Sequence, residues 1–241
     1  MSHQIYPTLS AATATWQQVE VIANNISNAS TNGFKQTRVS FDNVMHDMRP
    51  LGDGFTHLVT AGVELTDGPL MQTGVNTHVA LQGDGFLLVE GADGKEYLSR
   101  DGNLRLDTQR FLVNQSGERV MGTSGPIQIP IDEHVEIDLQ GNVASRRNDG
   151  TDVMTNQLGR LQLVTADWVE SRGGAHFVAP DGYRPADNVS VINGALEQSN
   201  TNPMNAMVDL IQANRYFDIY QKAIQASDQM DSQAYSLMRG Q

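Results

Sequence analysis

Six histidines, His3, His46, His57, His78, His134 and His176, are the side chains best suited to bind a metal or move a proton. Their spacing supports neither role. There is no HExxH helix, no histidine pair at helical spacing and no cysteine. That removes thiolate nucleophiles, disulfides and zinc–thiolate sites. A serine–histidine–aspartate set is built in space rather than in sequence, but the GxSxG elbow that announces one is missing. Carboxylates recur in Asp-Gly pairs, at Asp84-Gly85, Asp93-Gly94, Asp101-Gly102, Asp149-Gly150 and Asp181-Gly182. A glycosidase needs only two carboxylates. Each of these pairs, however, is fully explained as a tight turn, because both residues tolerate positive φ. The order of an EF-hand loop is absent. No catalytic, cofactor-binding or metal-binding residue is therefore assigned, and the chain reads as a non-enzyme.

The totals narrow the partners. The 241 residues carry a net charge of −12, with 39% hydrophobic and 18% charged residues. Phosphate backbones need a basic surface, so nucleic acid is excluded as a partner. No basic run steers the chain to an anionic membrane, and no stretch approaches the roughly 20 apolar residues of a membrane span. The first residues lack both the basic and the apolar region of a secretory signal, so export by another route or a cytosolic location is expected. A thiol-free chain suits an oxidising compartment.

The elements that must carry the function are the two ends. From Leu9 the apolar positions run Leu9, Ala12, Trp16, Val19, Ala23 and Ile26, in steps of three and four. That is the seam of a helix seeking a partner helix. From Ala206 the same pattern returns: Ala206, Leu210, Ala213, Phe217, Tyr220, Ile224 and Ser227, then Ala234 and Met238. We expect a first helix from near Pro7 to about residue 32, closed by Asn32-Gly33 as a left-handed cap. A second runs from an Asn202 cap and Pro203 nearly to the C-terminus. The outer face of the first helix carries Thr13, Thr15, Gln17, Gln18, Asn24, Asn25 and Asn28, with Glu20 the one formal charge. An ordinary amphipathic core helix is one reading. A helix covered on several sides by other copies is the other, since amides and hydroxyls are cheaper to desolvate than charges.

Between the ends the period changes. Residues 33–75, broken by Pro50, Gly52, Gly54, Gly62, Gly68 and Pro69, read as an extended joint. Residues 76–198 read as an antiparallel β domain. Strands alternate at Leu104–Leu106, Ile127–Ile129 and Val135–Leu139, and more buried ones fall at Gly85–Val89 and Leu161–Val164. The predicted fold class is α+β: terminal helices, 1–32 plus 199–241, paired as a coiled coil around a central antiparallel β domain.

The stretch Ala23-Asn24-Asn25-Ile26-Ser27-Asn28-Ala29-Ser30-Thr31-Asn32-Gly33-Phe34-Lys35 closely resembles the ANN(I/L)xNxxTxGFK signature of the bacterial flagellar rod and hook family. Three further stretches are similar to that family: Leu81-Gln82-Gly83-Asp84-Gly85-Phe86, Ser99-Arg100-Asp101-Gly102-Asn103, and Gly194-Ala195-Leu196-Glu197-Gln198-Ser199-Asn200. The resemblance spans nearly the whole chain. The start of the chain and Arg215-Tyr216-Phe217-Asp218 look more like the proximal-rod F-type subunits than the distal-rod G-type. The resemblance implies a structural subunit of the basal-body rod, periplasm-spanning and carrying torque to the hook. It would be exported by the flagellar type III apparatus without a cleavable signal, with termini poorly ordered before assembly. Its partners would be adjacent rod proteins and copies of itself. Leu9, Trp16, Val19, Ile26, Leu210, Phe217, Tyr220 and Ile224 would form the subunit interface. The competing expectation is an exported β-domain enzyme or carbohydrate binder on a coiled-coil stalk. A third, a peripheral membrane protein using its first helix, is opposed by the uncharged polar face.

Overall fold

The computed structural model describes residues 5–45, 54–131, 133–148, 153–186 and 188–239. The chain divides into two compact units. The first takes residues up to Ser27, Thr37–Gly62 and the chain from Asn202 onward; the second takes Asn28–Gln36 and Val63–Thr201.

The first unit holds helices α1 (Ile5–Ser27) and α2 (Pro203–Arg239) and a two-stranded sheet of β1 (Thr37–Met45) and β2 (Gly54–Val63). The Asn202 side-chain carbonyl accepts the amides of Met204 and Asn205 at 3.0 and 3.2 Å, so α2 starts on a side-chain cap with proline at its first position. The helix α1 stops at Ser27, five residues before the expected end. The reason is local: Asn28, Ser30 and Thr31 favour turns, and the Thr31 amide closes a turn on the Asn28 carbonyl at 3.0 Å. Gly33 does adopt positive φ, at 69°, but as part of this turn rather than as the helix cap. The segment 33–75, expected as a joint, contains β1, β2 and a further short strand.

The second unit is all β, and its strand pairs among the described residues are antiparallel. Its strands are β3 (Leu70–Gln72), β4 (Val79–Gln82), β5 (Phe86–Glu90), β6 (Glu96–Ser99), β7 (Arg105–Leu106), β8 (Leu112–Val113) and β9 (Arg119–Gly122). Next come β10 (Gly125–Pro126), β11 (His134–Ile137), β12 (Asn142–Asn148), β13 (Val153–Arg160) and β14 (Leu163–Thr165). The last are β15 (Glu170–Gly173), β16 (His176–Val178), β17 (Arg184–Pro185), β18 (Ser190–Asn193) and β19 (Ala195–Glu197). The main sheet runs β15-β16-β6-β5-β9-β8-β7. Strand β5 is its centre and is buried on both faces. Leu87 and Val89 point into one apolar cluster with Leu112, Val120, Val143, Leu161 and Val191; Phe86 and Leu88 point into another with Leu98, Val164 and Phe177. Its sequence is accordingly a continuous apolar run.

The Asp-Gly pairs divide. Gly94 and Gly182 take positive φ and turn the chain as expected. At Asp84-Gly85 the positive φ falls on Gly83 instead, and Gly102 has none. Asp149-Gly150 lies outside the described residues. Ile127–Ile129, expected as a strand, forms only an isolated bridge from Gln128 to Phe111.

Candidate functional site: a buried ion cluster and a two-faced helix

Four family-like stretches, far apart in sequence, meet inside the second unit. Lys35 lies in the turn after α1, Arg100 just past β6, and Glu197 at the end of β19. Lys35 and Arg100 have fully buried side chains, and that of Glu197 is 1% exposed. Lys35 Nζ lies 2.6 Å from Glu197 Oε1, and Arg100 Nη1 lies 3.1 Å from Oε2. The Gly68 amide donates to Oε1 at 2.9 Å. Lys35 also donates to the Thr66 carbonyl at 2.7 Å, and Arg100 Nη2 to that of Gly83 at 2.6 Å. The Arg100 guanidinium stands 5.3 Å over the Phe86 ring. Asp67, half exposed, completes the charge balance at 3.4 Å from Arg100 and 3.8 Å from Lys35. Burial holds the Lys35 ammonium below its ordinary value of 10.5, against the opposing pull of Glu197. Buried charges persist only when paired, and this cluster pairs all of them.

Glycines make the crossing possible. A Cβ on Gly33 would fall 2.2 Å from the Arg100 carbonyl carbon. One on Gly102 would fall 1.6 Å from the Val79 carbonyl oxygen. The Gly33 amide donates to the Glu197 carbonyl at 2.8 Å, which ties the exit from α1 to the strand that precedes α2 in the chain. Two asparagines act as backbone clamps. Asn200 accepts the Gln36 amide at 2.7 Å and donates to the Glu64 carbonyl at 2.9 Å. In the first unit, Asn25 accepts the Thr37 amide at 3.0 Å and donates to its carbonyl at 2.9 Å. Asn28 accepts from the Thr31 hydroxyl at 3.3 Å, and Ser199 accepts the Thr201 amide at 3.1 Å. Phe34 is fully buried. Asp101 is buried and accepts the Asn103 amide at 3.0 Å; its burial raises its carboxyl pKa. A Cβ on Gly85 would meet Val189 at 2.5 Å. Asn24 is exposed on α1.

The helices carry a second arrangement. On α2, Ala206, Leu210, Ala213, Phe217, Tyr220, Ile224 and Ser227 are the positions between 202 and 227 that are not exposed. Trp16 of α1 and Phe217 of α2 meet with ring centroids 5.5 Å apart. On α1, Val19 and Ile26 are partly covered, while Leu9 is 52% and Trp16 48% exposed. Thr15 and Asn25, assigned by spacing to the outer face, are buried. Both are hydrogen-bonded, Thr15 to the Ala11 carbonyl at 2.8 Å, which removes the cost of burying them. The Trp16 indole donates to Glu20 at 2.9 Å, so the helix's one charge is engaged. Helical geometry puts Met204, Met207, Val208, Ile211 and Ile219 on the side of α2 opposite its covered stripe, and all five are exposed.

Spacing alone missed Asp67, Gly68 and Thr66, all partners of the cluster, and Glu64, which Asn200 clamps. Two motif cations and a motif glutamate were the available signal, since such charges, if buried, require one another. Of the carboxylates considered for catalysis, Asp93 has a structural duty like that of Asp101: it accepts the Lys95 amide at 3.2 Å and the Tyr97 hydroxyl at 2.8 Å. Among the described residues no helix is long and apolar enough to cross a membrane, and no group of three His, Asp or Glu side chains is placed to hold a metal.

Two terminal helices, an antiparallel β unit and the motif residues gathered in it are features shared with a known class of structural protein. Three family models match: "Flagella basal body rod protein" at residues 5–35, "Flagellar hook protein FlgE/F/G D1 domain" at 80–145, and "Flagellar basal body rod FlgEFG protein C-terminal" at 192–237. The flagellar basal-body rod protein FlgF of Salmonella typhimurium is 33% identical, with 99% of each chain covered. FlgF of Escherichia coli is 34% identical, again over 99% of each. FlgG of Borreliella burgdorferi is 27% identical over 99% of this chain and all of its own. The chain belongs to the flagellar basal-body rod protein family, a structural family and not an enzyme family. Within it the chain is most like the F-type proteins, with the G-type second.

Proposed function

We propose that this chain is a rod subunit that polymerises through α1 and α2 into the axial tube transmitting torque from motor to hook. The helices pair as a coiled coil along the seam of Leu9, Trp16, Val19 and Ile26 with Leu210, Phe217, Tyr220 and Ile224. Adjacent rod proteins, and copies of this chain, cover what the pair leaves open. The observation that carries the proposal is the two-faced α2: one apolar stripe is covered within the chain and a second, from Met204 to Ile219, is exposed. Met204, Met207, Val208 and Ile211 fall at helical-neighbour spacing, and clustered exposed apolar residues of this kind mark an interaction site. A tube follows when such contacts are heterologous and do not close. Delivery by the flagellar type III export apparatus and a place in the periplasm-spanning rod belong to the same reading.

The test separates the two faces. Phe217→Asp should loosen the helix pair and abolish motility. Ile211→Asp should leave the monomer folded and still abolish incorporation into basal bodies. Normal incorporation of Ile211→Asp would remove the exposed face from the account.

A further inference from the structure

The short pair β3–β19 has no alternating inside–outside pattern. Register is normally specified because a one-residue slip moves buried side chains to the wrong face. Here all three residues of β3, Leu70, Met71 and Gln72, are exposed, and all three of β19, Ala195, Leu196 and Glu197, are buried. Neither strand alternates, so an inside–outside pattern does not by itself choose between registers. Nonetheless the register is definite: Ala195 faces Gln72, Leu196 faces Met71 and Glu197 faces Leu70. Among the three buried residues of β19, Glu197 is the charged one. Only with Glu197 where it is do its two oxygens reach Lys35, Arg100 and the Gly68 amide together.

We propose that the Lys35–Glu197–Arg100 cluster is a register key: it sets which residue of β19 lies opposite which residue of β3, and so fixes the point from which the chain leaves for α2. The three side chains are positioning residues. One observation and one general rule separate this from a role in stability. Arg100 Nε is buried with no hydrogen-bond partner among the described residues, a cost that a cluster shaped for stability would avoid. A buried ion group is also commonly replaceable by apolar residues without loss of stability. Glycines sharpen the key. A Cβ on Gly68 would lie 1.9 Å from the Gln198 carbonyl oxygen, so the backbones touch where the carboxylate is read.

The absence of cysteine makes the test clean. The Thr73 amide bonds the Gly194 carbonyl and the Gln198 amide the Pro69 carbonyl, which makes Gln72 and Ala195 a non-hydrogen-bonded pair. Such pairs suit a disulfide. The full chain carrying Q72C/A195C reports the native register; M71C/A195C and Q72C/L196C report slips in either direction. Each pair is oxidised in the native cluster and in the K35M/R100M/E197L background, with thermal unfolding followed in parallel. With the cluster intact, the native pair should dominate. In the apolar background the melting temperature should hold, while the ratio of native to slipped cross-link falls about tenfold or more, equivalent to about 1.4 kcal/mol. An unchanged ratio in a folded apolar variant would overturn the proposal. So would an apolar variant that no longer folds, because the cluster would then be holding the unit together.

Discussion

Replacing Glu197 by glutamine removes one charge and leaves two cations buried. The lost carboxylate holds Lys35 at 2.6 Å and Arg100 at 3.1 Å. What remains is Asp67, 53% exposed and more than 3 Å from either cation. Breaking a buried pair by removing one partner costs roughly 3–5 kcal/mol. Glutamine keeps an oxygen for the Gly68 amide, so the lower end of that range is expected. In a unit of this size each kcal/mol lowers the melting temperature by about 2–4 °C. Thermal unfolding of the full chain should therefore show a loss of roughly 6–12 °C. The pH dependence identifies the cause. Between the lowered value of Lys35 and 10.5 the unfolded chain binds this proton more than the folded one, so this group makes stability rise with pH. Without Glu197 the lysine falls further and the window extends downward. The deficit of the variant should thus shrink as pH approaches 10.5. A deficit below about 1 kcal/mol, the range of an exposed pair, would refute the buried cluster. A deficit that does not change with pH would refute the role given to Lys35.

Three further expectations use other parts of the chain. Gly33→Ala places a methyl against the Arg100 carbonyl at positive φ and should cost more than about 2 kcal/mol, whereas Gly94→Ala, also at positive φ but with open space around it, should cost about 1 kcal/mol; urea unfolding compares them. Asn25→Ala leaves the Thr37 amide and carbonyl without their partner and should cost roughly 1–3 kcal/mol by the same assay. His176 lies 2.6 Å from Glu118; that bond raises the imidazole pKa, and it lowers the carboxyl against the effect of burial. The pair's contribution should be lost as pH rises through the raised histidine value and again as pH falls through the lowered glutamate value, so His176→Gln should flatten the stability profile at both edges.

The helical ends were legible because three-and-four spacing survives in sequence without knowledge of the partner. The covered positions of α2 follow that spacing from Ala206 to Ser227. On α1 the spacing misassigned Thr15 and Asn25, because a hydrogen-bonded polar side chain can occupy a buried position that periodicity reserves for apolar ones, and the seam positions Leu9, Trp16 and Ala23 are exposed. The end of α1 was misplaced for a related reason: Gly33 carries the expected backbone, but a turn intervenes. Strand β5 was legible from its apolar run. Strands β1 and β2 were not, since the glycines and prolines around them read as breakers. The ion cluster was visible only as separate motifs; its assembly depends on contacts across more than 160 residues, as between Lys35 and Glu197.

The central claim is that the exposed stripe of α2 meets another chain in the rod. A single cysteine at Ile211 in this cysteine-free chain, carrying a thiol-attached photoreactive cross-linker in isolated basal bodies, tests it most directly. The account predicts an intermolecular cross-link from position 211 in the assembled structure. It predicts none from the purified monomer or from a cysteine at Lys95 in the β unit. No cross-link from position 211 in basal bodies that contain the variant would contradict it.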